Sequence, residues 1–410
     1  MKRFLVLFRE AWRDWNYIFQ REMYNIFHDG ALLIFFILVP LAYPILYTLI
    51  YNNETLHETP IVVVDNSKSA MSRDYLRRLD GTSEVRIAGY AADMEEAEEW
   101  VRKRDAYGVV VIPATMADDI ANMKQTHVSI FVDMGGLLYY KTMLLANTEV
   151  SLQMNREIKL MRTPGLSTRA DEQAVTAPIR YEQVTLFNPS SGFAQFLIPA
   201  VMVILLHQTL LLGICLSAGT ERESNKLYQL LPVHEHHHGL IRIITGKGAA
   251  YFVLYLWNVV FCLGIIPHVF HLPQLSDAID VWAIAVPFLL ACIFFGMTIS
   301  GLIRHRENCM MIIVFSSLPL LFLSGISWPW DSIPRFWQLF AHIFPSTHGV
   351  RAFIKLNNMG ASLAEAENEL LWLWGQVVVY AVTTIFTYYR GLVKIRLRFP
   401  AHKTDSAVRQ

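Results

Sequence analysis

Charge is scarce in this chain. Asp, Glu, Lys and Arg make up 17% of its 410 residues, whereas a soluble domain carries about a quarter. The shortfall falls in several runs of about 20 apolar residues, each long enough to cross a hydrocarbon core. A wholly water-soluble protein is thereby excluded. The 35 basic and 35 acidic residues cancel, so nothing points to nucleic acid or another polyanion as partner. Cysteine is nearly absent too. Cys215, Cys262, Cys292 and Cys309 all fall in or at the ends of apolar segments, which excludes a disulfide framework and suits small buried hydrophobes. No paired carboxylates, Ser-His-Asp set or Cys-His arrangement stands at catalytic spacing inside an apolar segment, so an intramembrane enzyme is not indicated. Gly246-Lys247 is the nearest approach to a phosphate loop. It lacks the upstream glycine and has Gly248 where Ser or Thr is required.

What is there reads as an α-helical polytopic membrane protein with six transmembrane helices and an α/β domain inserted after the first. Residues 1–29 mix Trp12, Trp15 and Phe19 with Arg9, Arg13 and Arg21, which suits an amphipathic helix lying in the cytoplasmic interface. No small-residue cleavage site follows the first apolar run, so it is expected to remain as an anchor. Residues 30–51 form the first span, with Pro40 and Pro44 predicting a kink that neighbouring helices can accommodate.

Residues 52–189 differ in character. Four β-branched runs, Ile61 to Val64, Val85 to Ala88, Val109 to Ile112 and Val128 to Val132, alternate with helical stretches at 71–79, 93–104 and 114–123. That alternation predicts a small α/β domain with parallel pairing. Glu98 with Arg102 and Glu99 with Lys103 are i,i+4 pairs on a solvated face. A longer helix over 137–161 leads back toward the membrane.

Residues 190–390 carry spans two to six, at 193–218, 249–269, 281–303, 309–323 and 370–389, with an inner loop over 219–247. His207, Gln208 and Asn258 are polar positions at depth. They either line a substrate path or bond between helices. Gly296, Ser300 and Gly301 invite close helix approach. The Trp- and Pro-rich stretch from Ser324 reads as re-entrant or interfacial segments. Residues 391–410 form a basic tail. Lys and Arg gather in the N-terminal segment, the 219–247 loop, Arg304 and Arg306, and the tail. Both termini are therefore expected in the cytoplasm and the α/β domain outside.

The loop from Glu221 to Lys247 is polar and expected to lie in water. Asn225 to Leu231 reads as a short amphipathic helix closed by Pro232, a shape another protein can grip. Glu221 and Glu223 are solvated helix-end carboxylates, contacts to a motor subunit, or braces against basic residues of the N-terminal helix. His234, His236, His237 and His238 could bind metal, sense pH or form a plain loop. Nothing there sets the spacing of a structural metal site.

Three stretches resemble the ABC-2 family of export permeases with a large extracytoplasmic insertion. IVVVDNSKSAMSRDYLRRL, with GVVVIPATMADDI farther on, looks like the opening of that outer domain. Glu221, Arg222, Glu223, Leu230, Leu231 and Pro232 match the coupling segment, although Ser224-Asn225-Lys226 stands where Gly-Thr is usual. Ser324, Gly325, Pro329, Pro334 and Pro345 match the pattern after the fifth span. The resemblance implies a bacterial inner-membrane permease that exports an amphiphilic or hydrophobic substrate. It would pair with a second permease copy and two copies of an ABC ATPase subunit. ATP and Mg would bind that partner, leaving this chain without a cofactor. A periplasmic adaptor and an outer-membrane channel can complete such a route. The competing reading is a membrane-anchored sensor or scaffold that binds a ligand through its α/β domain.

Overall fold

The computed structural model describes residues 2–51, 55–163, 168–176, 186–188, 192–224, 239–303 and 305–398. The chain divides into two compact units, one of Met1–Asn52 with Phe187–Gln410 and one of Asn53–Leu186.

The smaller unit is a four-stranded sheet in the order β2-β1-β3-β4, with β1 Thr59–Asp65, β2 Val85–Tyr90, β3 Gly108–Ile112 and β4 Ser129–Val132. Strand residues alternate between faces, and here both faces are covered. Ile61, Val63, Val110 and Ile112 pack against α3 (Ala70–Asp80) and α6 (Leu137–Arg162). Val62, Val64 and Val109 pack with Ala97 of α4 (Met94–Lys103). Two-sided burial is why β1 reads as a continuous apolar run. Ser69 caps α3 in a reciprocal capping box with Ser72, and Asp93 caps α4 through the Glu96 amide. The expected surface pairs form, Glu98–Arg102 at 3.8 Å and Glu99–Lys103 at 3.1 Å.

One expectation is corrected. β1 pairs parallel with β2 and β3, but β3 pairs antiparallel with β4. The reason is the connection. A parallel return needs a crossover, usually a helix, that carries the chain back along the strand, about 17 Å for the 5 residues of β3. The helix here, α5 (Met116–Ala121), has 6 residues and is about 9 Å long. A further helix, α7, spans Arg169–Thr176.

The larger unit is helical. Among the described residues, α1 (Lys2–His28) precedes six helices long and apolar enough to cross a membrane. These are α2 (Gly30–Tyr51), α8 (Phe193–Glu223), α9 (Gly239–Val269), α10 (Ala278–Leu302), α11 (Arg306–Leu323) and a last one beginning at Glu367. Between α11 and that last helix lie α12 (Arg335–Ala341) and α13 (Pro345–Asn357). The last helix, α14, continues through Arg398. α8 is the central post, its apolar residues buried among α2, α9, α10, α11 and α13. α13 does not lie on the surface, since Pro345 to Val350 is buried without a break.

The prolines of α2 leave a specific signature. Pro40 cannot donate to the Phe36 carbonyl, nor Pro44 to the Pro40 carbonyl. A π-helical turn over Ile34–Leu38 accompanies the gap. Asn258 Nδ2 donates to the Phe36 carbonyl at 2.9 Å, and Cys262 Sγ donates to the Pro40 carbonyl at 3.4 Å. One turn of α9 thus supplies two donors that α2 lacks, which is how a proline-broken span stays satisfied in hydrocarbon. Of the two readings of Asn258, the interhelical bond is the one its geometry displays. Small residues allow close packing as expected. A Cβ on Gly301 would lie 2.7 Å from Thr387, and one on Gly296 would lie 3.0 Å from Ile214. All four cysteines are free and buried.

A second expectation is corrected. The third apolar helix begins at Gly239, not near 249, so Arg242 and Lys247 are helical rather than part of a watery loop. The second runs on to Glu223. Glu221 and Lys247 are both buried, Lys247 at 1% exposure. Hydropathy charges each ion separately for leaving water. It cannot see that two ions of opposite sign leave together.

Candidate functional site

The Glu223 end of α8 meets α1 and α9 in a cluster of buried ions. Lys247 Nζ lies 2.6 Å from Glu221 Oε2 and 3.1 Å from Glu22 Oε2. Arg21 Nη1 lies 3.1 Å from Glu221 Oε1. The second oxygen of Glu22 accepts hydrogen bonds from Ser217 Oγ at 2.8 Å and from the Tyr251 hydroxyl. Two carboxylates and two cations therefore neutralise one another, each carboxylate held by more than one donor. Burial alone would raise the Glu22 carboxyl. Lys247, with Tyr251 and Ser217, more than offsets that and holds it below the ordinary carboxylate value. A second pair, Asp14 with Arg242 at 2.7 Å, ties α1 to α9 farther along.

Local sequence explains the assembly. Ile18, Glu22 and Ile26 are all buried and lie one turn apart on α1, so the carboxylate sits within an apolar stripe. Gly246 lets that stripe approach closely, for a Cβ there would meet Ile18 at 3.0 Å and the Trp15 carbonyl at 3.2 Å. Ile18, Ile243 and Leu392 close a small apolar cluster beside it, bringing in α14. Removing one member of such a cluster strands a buried charge, which costs about 3–5 kcal/mol.

The residues singled out from sequence divide clearly. Glu221 forms the centre of the cluster. Arg222 donates to the Ile303 carbonyl just past α10, and exposed Glu223 accepts from the Arg306 amide at 2.9 Å. Arg306 also reaches Asp29, the N-cap of α2, at 3.2 Å. The Glu-Arg-Glu run thus joins α1, α9 and the turn entering α11. A cavity of about 370 Å³ adjoins it, lined by Tyr24, His28, Asp29, Ser217, Thr220 and Glu221. Leu230, Leu231 and Pro232 lie outside the described residues, as does the histidine run 234–238. His207 is fully buried, and neither its ring nitrogens nor the Gln208 amide atoms have a hydrogen-bond partner among the described residues.

Glu22, Ser217, Tyr251 and the structural role of Lys247 escaped the sequence reading. A signal existed. Leu240, Ile241, Ile243 and Ile244 already have the character of a span, and a lone lysine inside one calls for a carboxylate partner.

Six apolar helices among the described residues, with α8 at their centre and a charged joint at its end, define a polytopic membrane protein. The chain belongs to the ABC-2 family transporter proteins, whose family model matches residues 31–386. It is 22% identical over 383 residues to ABC transporter G family member 20 of Dictyostelium discoideum, covering 92% of this chain and 50% of that protein. It is 23% identical over 206 residues to the probable multidrug ABC transporter permease YbhR of Escherichia coli K12, covering 49% of this chain and 53% of that one. The chain spans about half the length of the curated relatives it matches.

Proposed function

We propose that this chain is the permease subunit of an ABC exporter in a bacterial inner membrane, working as a pair of permeases with two separate ATPase subunits. The substrate is amphiphilic or hydrophobic, a class in keeping with the multidrug name carried by one relative. Both termini and the Glu221 to Pro232 segment face the cytoplasm, and the α/β unit faces outward to receive substrate or a periplasmic partner. The observation that carries the reading is the buried joint of Arg21, Glu22, Glu221 and Lys247. It sits immediately before the segment where a motor would push, and it ties that segment to α1 and α9. A push there is delivered to whole helices instead of being lost in a loop. Glu223, exposed at the same end, is the residue available to the motor. Buried His207 and half-buried Gln208, both lacking hydrogen-bond partners among the described residues, suit a polar path through α8 better than a packed core.

The test is purification of the full chain in mild detergent with trapped nucleotide, followed by identification of what accompanies it. A stoichiometric ATPase is the expected result. Its absence would favour a membrane-anchored sensor instead. In the reconstituted complex, Glu223→Ala is expected to lower transport-coupled ATP hydrolysis while leaving insertion and assembly intact. Unchanged coupling would remove the assigned role of that segment.

A further inference from the structure

We infer that the outward face of α6 is a two-fold interface, on which the α/β units of two copies of this chain pair antiparallel through Leu138, Leu145 and Leu152. The inference rests on the two-copy reading above and assigns a contact to it. α6 has two apolar faces. Met143, Ala146, Asn147, Val150 and Met154 are buried against the rest of the unit. On the opposite side, Leu138, Leu145 and Leu152 are 36%, 54% and 52% exposed, and Leu137 and Leu144 widen the stripe. The three leucines recur at the seven-residue spacing that keeps side chains on one line of a helix, which is the pattern of a helix-pairing seam. A leucine stripe this long on a surface marks an interaction site.

The charges choose the occupant. Lys141 and Glu149 stand four residues to either side of Leu145, within about 40° of the leucine line at 100° per residue. A two-fold axis through Leu145 sets each residue before it against its mirror residue in the second copy. Leu138 then meets Leu152, and Lys141 meets Glu149, each contact occurring twice as an isologous interface requires. A parallel pairing would instead set Lys141 on Lys141 and Glu149 on Glu149. Self-complementarity of both shape and charge about one residue is a property of a surface that meets its own copy.

Cysteine cross-linking of the full chain tests this, since the four native cysteines are buried. Leu145→Cys is expected to give a disulfide-linked dimer under mild oxidation. Leu138→Cys and Leu152→Cys are expected to cross-link when the two variants are mixed, and weakly or not at all when each is alone. Lys141→Glu in the Leu145→Cys background is expected to lower the cross-linked fraction several-fold, and adding Glu149→Lys to restore it. Mass measurement in the same detergent separates the two levels of the argument. A dimer by mass that never cross-links at position 145 overturns the interface but spares the two-copy reading, whereas a monomer by mass overturns both. Self-linking of Leu138→Cys means a parallel pairing and refutes the proposal, as does cross-linking of position 145 to a different polypeptide.

Discussion

Lys247→Met is the perturbation that asks most of the structure. Methionine keeps the apolar stem but removes the one cation shared by Glu22 and Glu221. Glu221 retains Arg21. Among the described residues Glu22 keeps only the neutral donors Ser217 and Tyr251. Stranding a buried charge in this way costs about 3–5 kcal/mol, or roughly two to four powers of ten in the folding equilibrium at about 1.4 kcal/mol per decade. The pH dependence should also change sign. In the native protein Glu22 is held below 4.5, so its contribution is complete above that value and lost as pH falls through the folded-state value. In the variant, burial is left without its offset and the carboxyl rises above its unfolded value. Stability is then greatest in acid and declines as pH rises through neutrality. Denaturant unfolding of the full chain in one micelle composition, from pH 4 to pH 8, measures both effects. Adding Glu22→Gln should recover a large part of the loss, because the stranded charge is gone. A single variant within about 1 kcal/mol of the native protein at pH 7, or one with no reversed pH slope, would refute the claim that these ions are closed off from water.

Two smaller tests examine the packing. Gly246→Leu should force α1 away from α9, because even a Cβ there meets Ile18 and the Trp15 carbonyl. The expected cost is about 1–3 kcal/mol, read as faster hydrogen exchange along α1; unchanged exchange would mean that the two helices are not in close contact. Tyr75→Phe removes a hydroxyl that bonds Asn147 Oδ1 and Ser151 Oγ at 3.2 Å each, between α3 and α6. It should cost about 1 kcal/mol, seen as roughly five-fold faster exchange in those two helices and none in α4.

Much of this protein could be read from local pattern. A run of apolar residues long enough to cross hydrocarbon has few other stable outcomes, so the helices at 193–223, 278–302 and 306–323 stand close to where hydropathy alone puts them. The strands of the α/β unit were equally legible, because β-branched runs ending in turn residues are a local property. Each begins and ends within two residues of its predicted bounds. The motif around Glu221 was visible as residue types at a spacing.

What pattern could not reach were relations between distant positions. The antiparallel turn of β4 depends on how far a 6-residue helix can carry the chain. The donors for the orphaned carbonyls of Phe36 and Pro40 come from residues more than 200 positions away. Most of all, Lys247 looked like the polar end of a loop until Glu22 and Glu221 were beside it. An ion's cost of burial is a property of the residue, and its compensation is a property of the partner. Local sequence records the first, while only the packed chain brings α1, α8 and α9 together to supply the second.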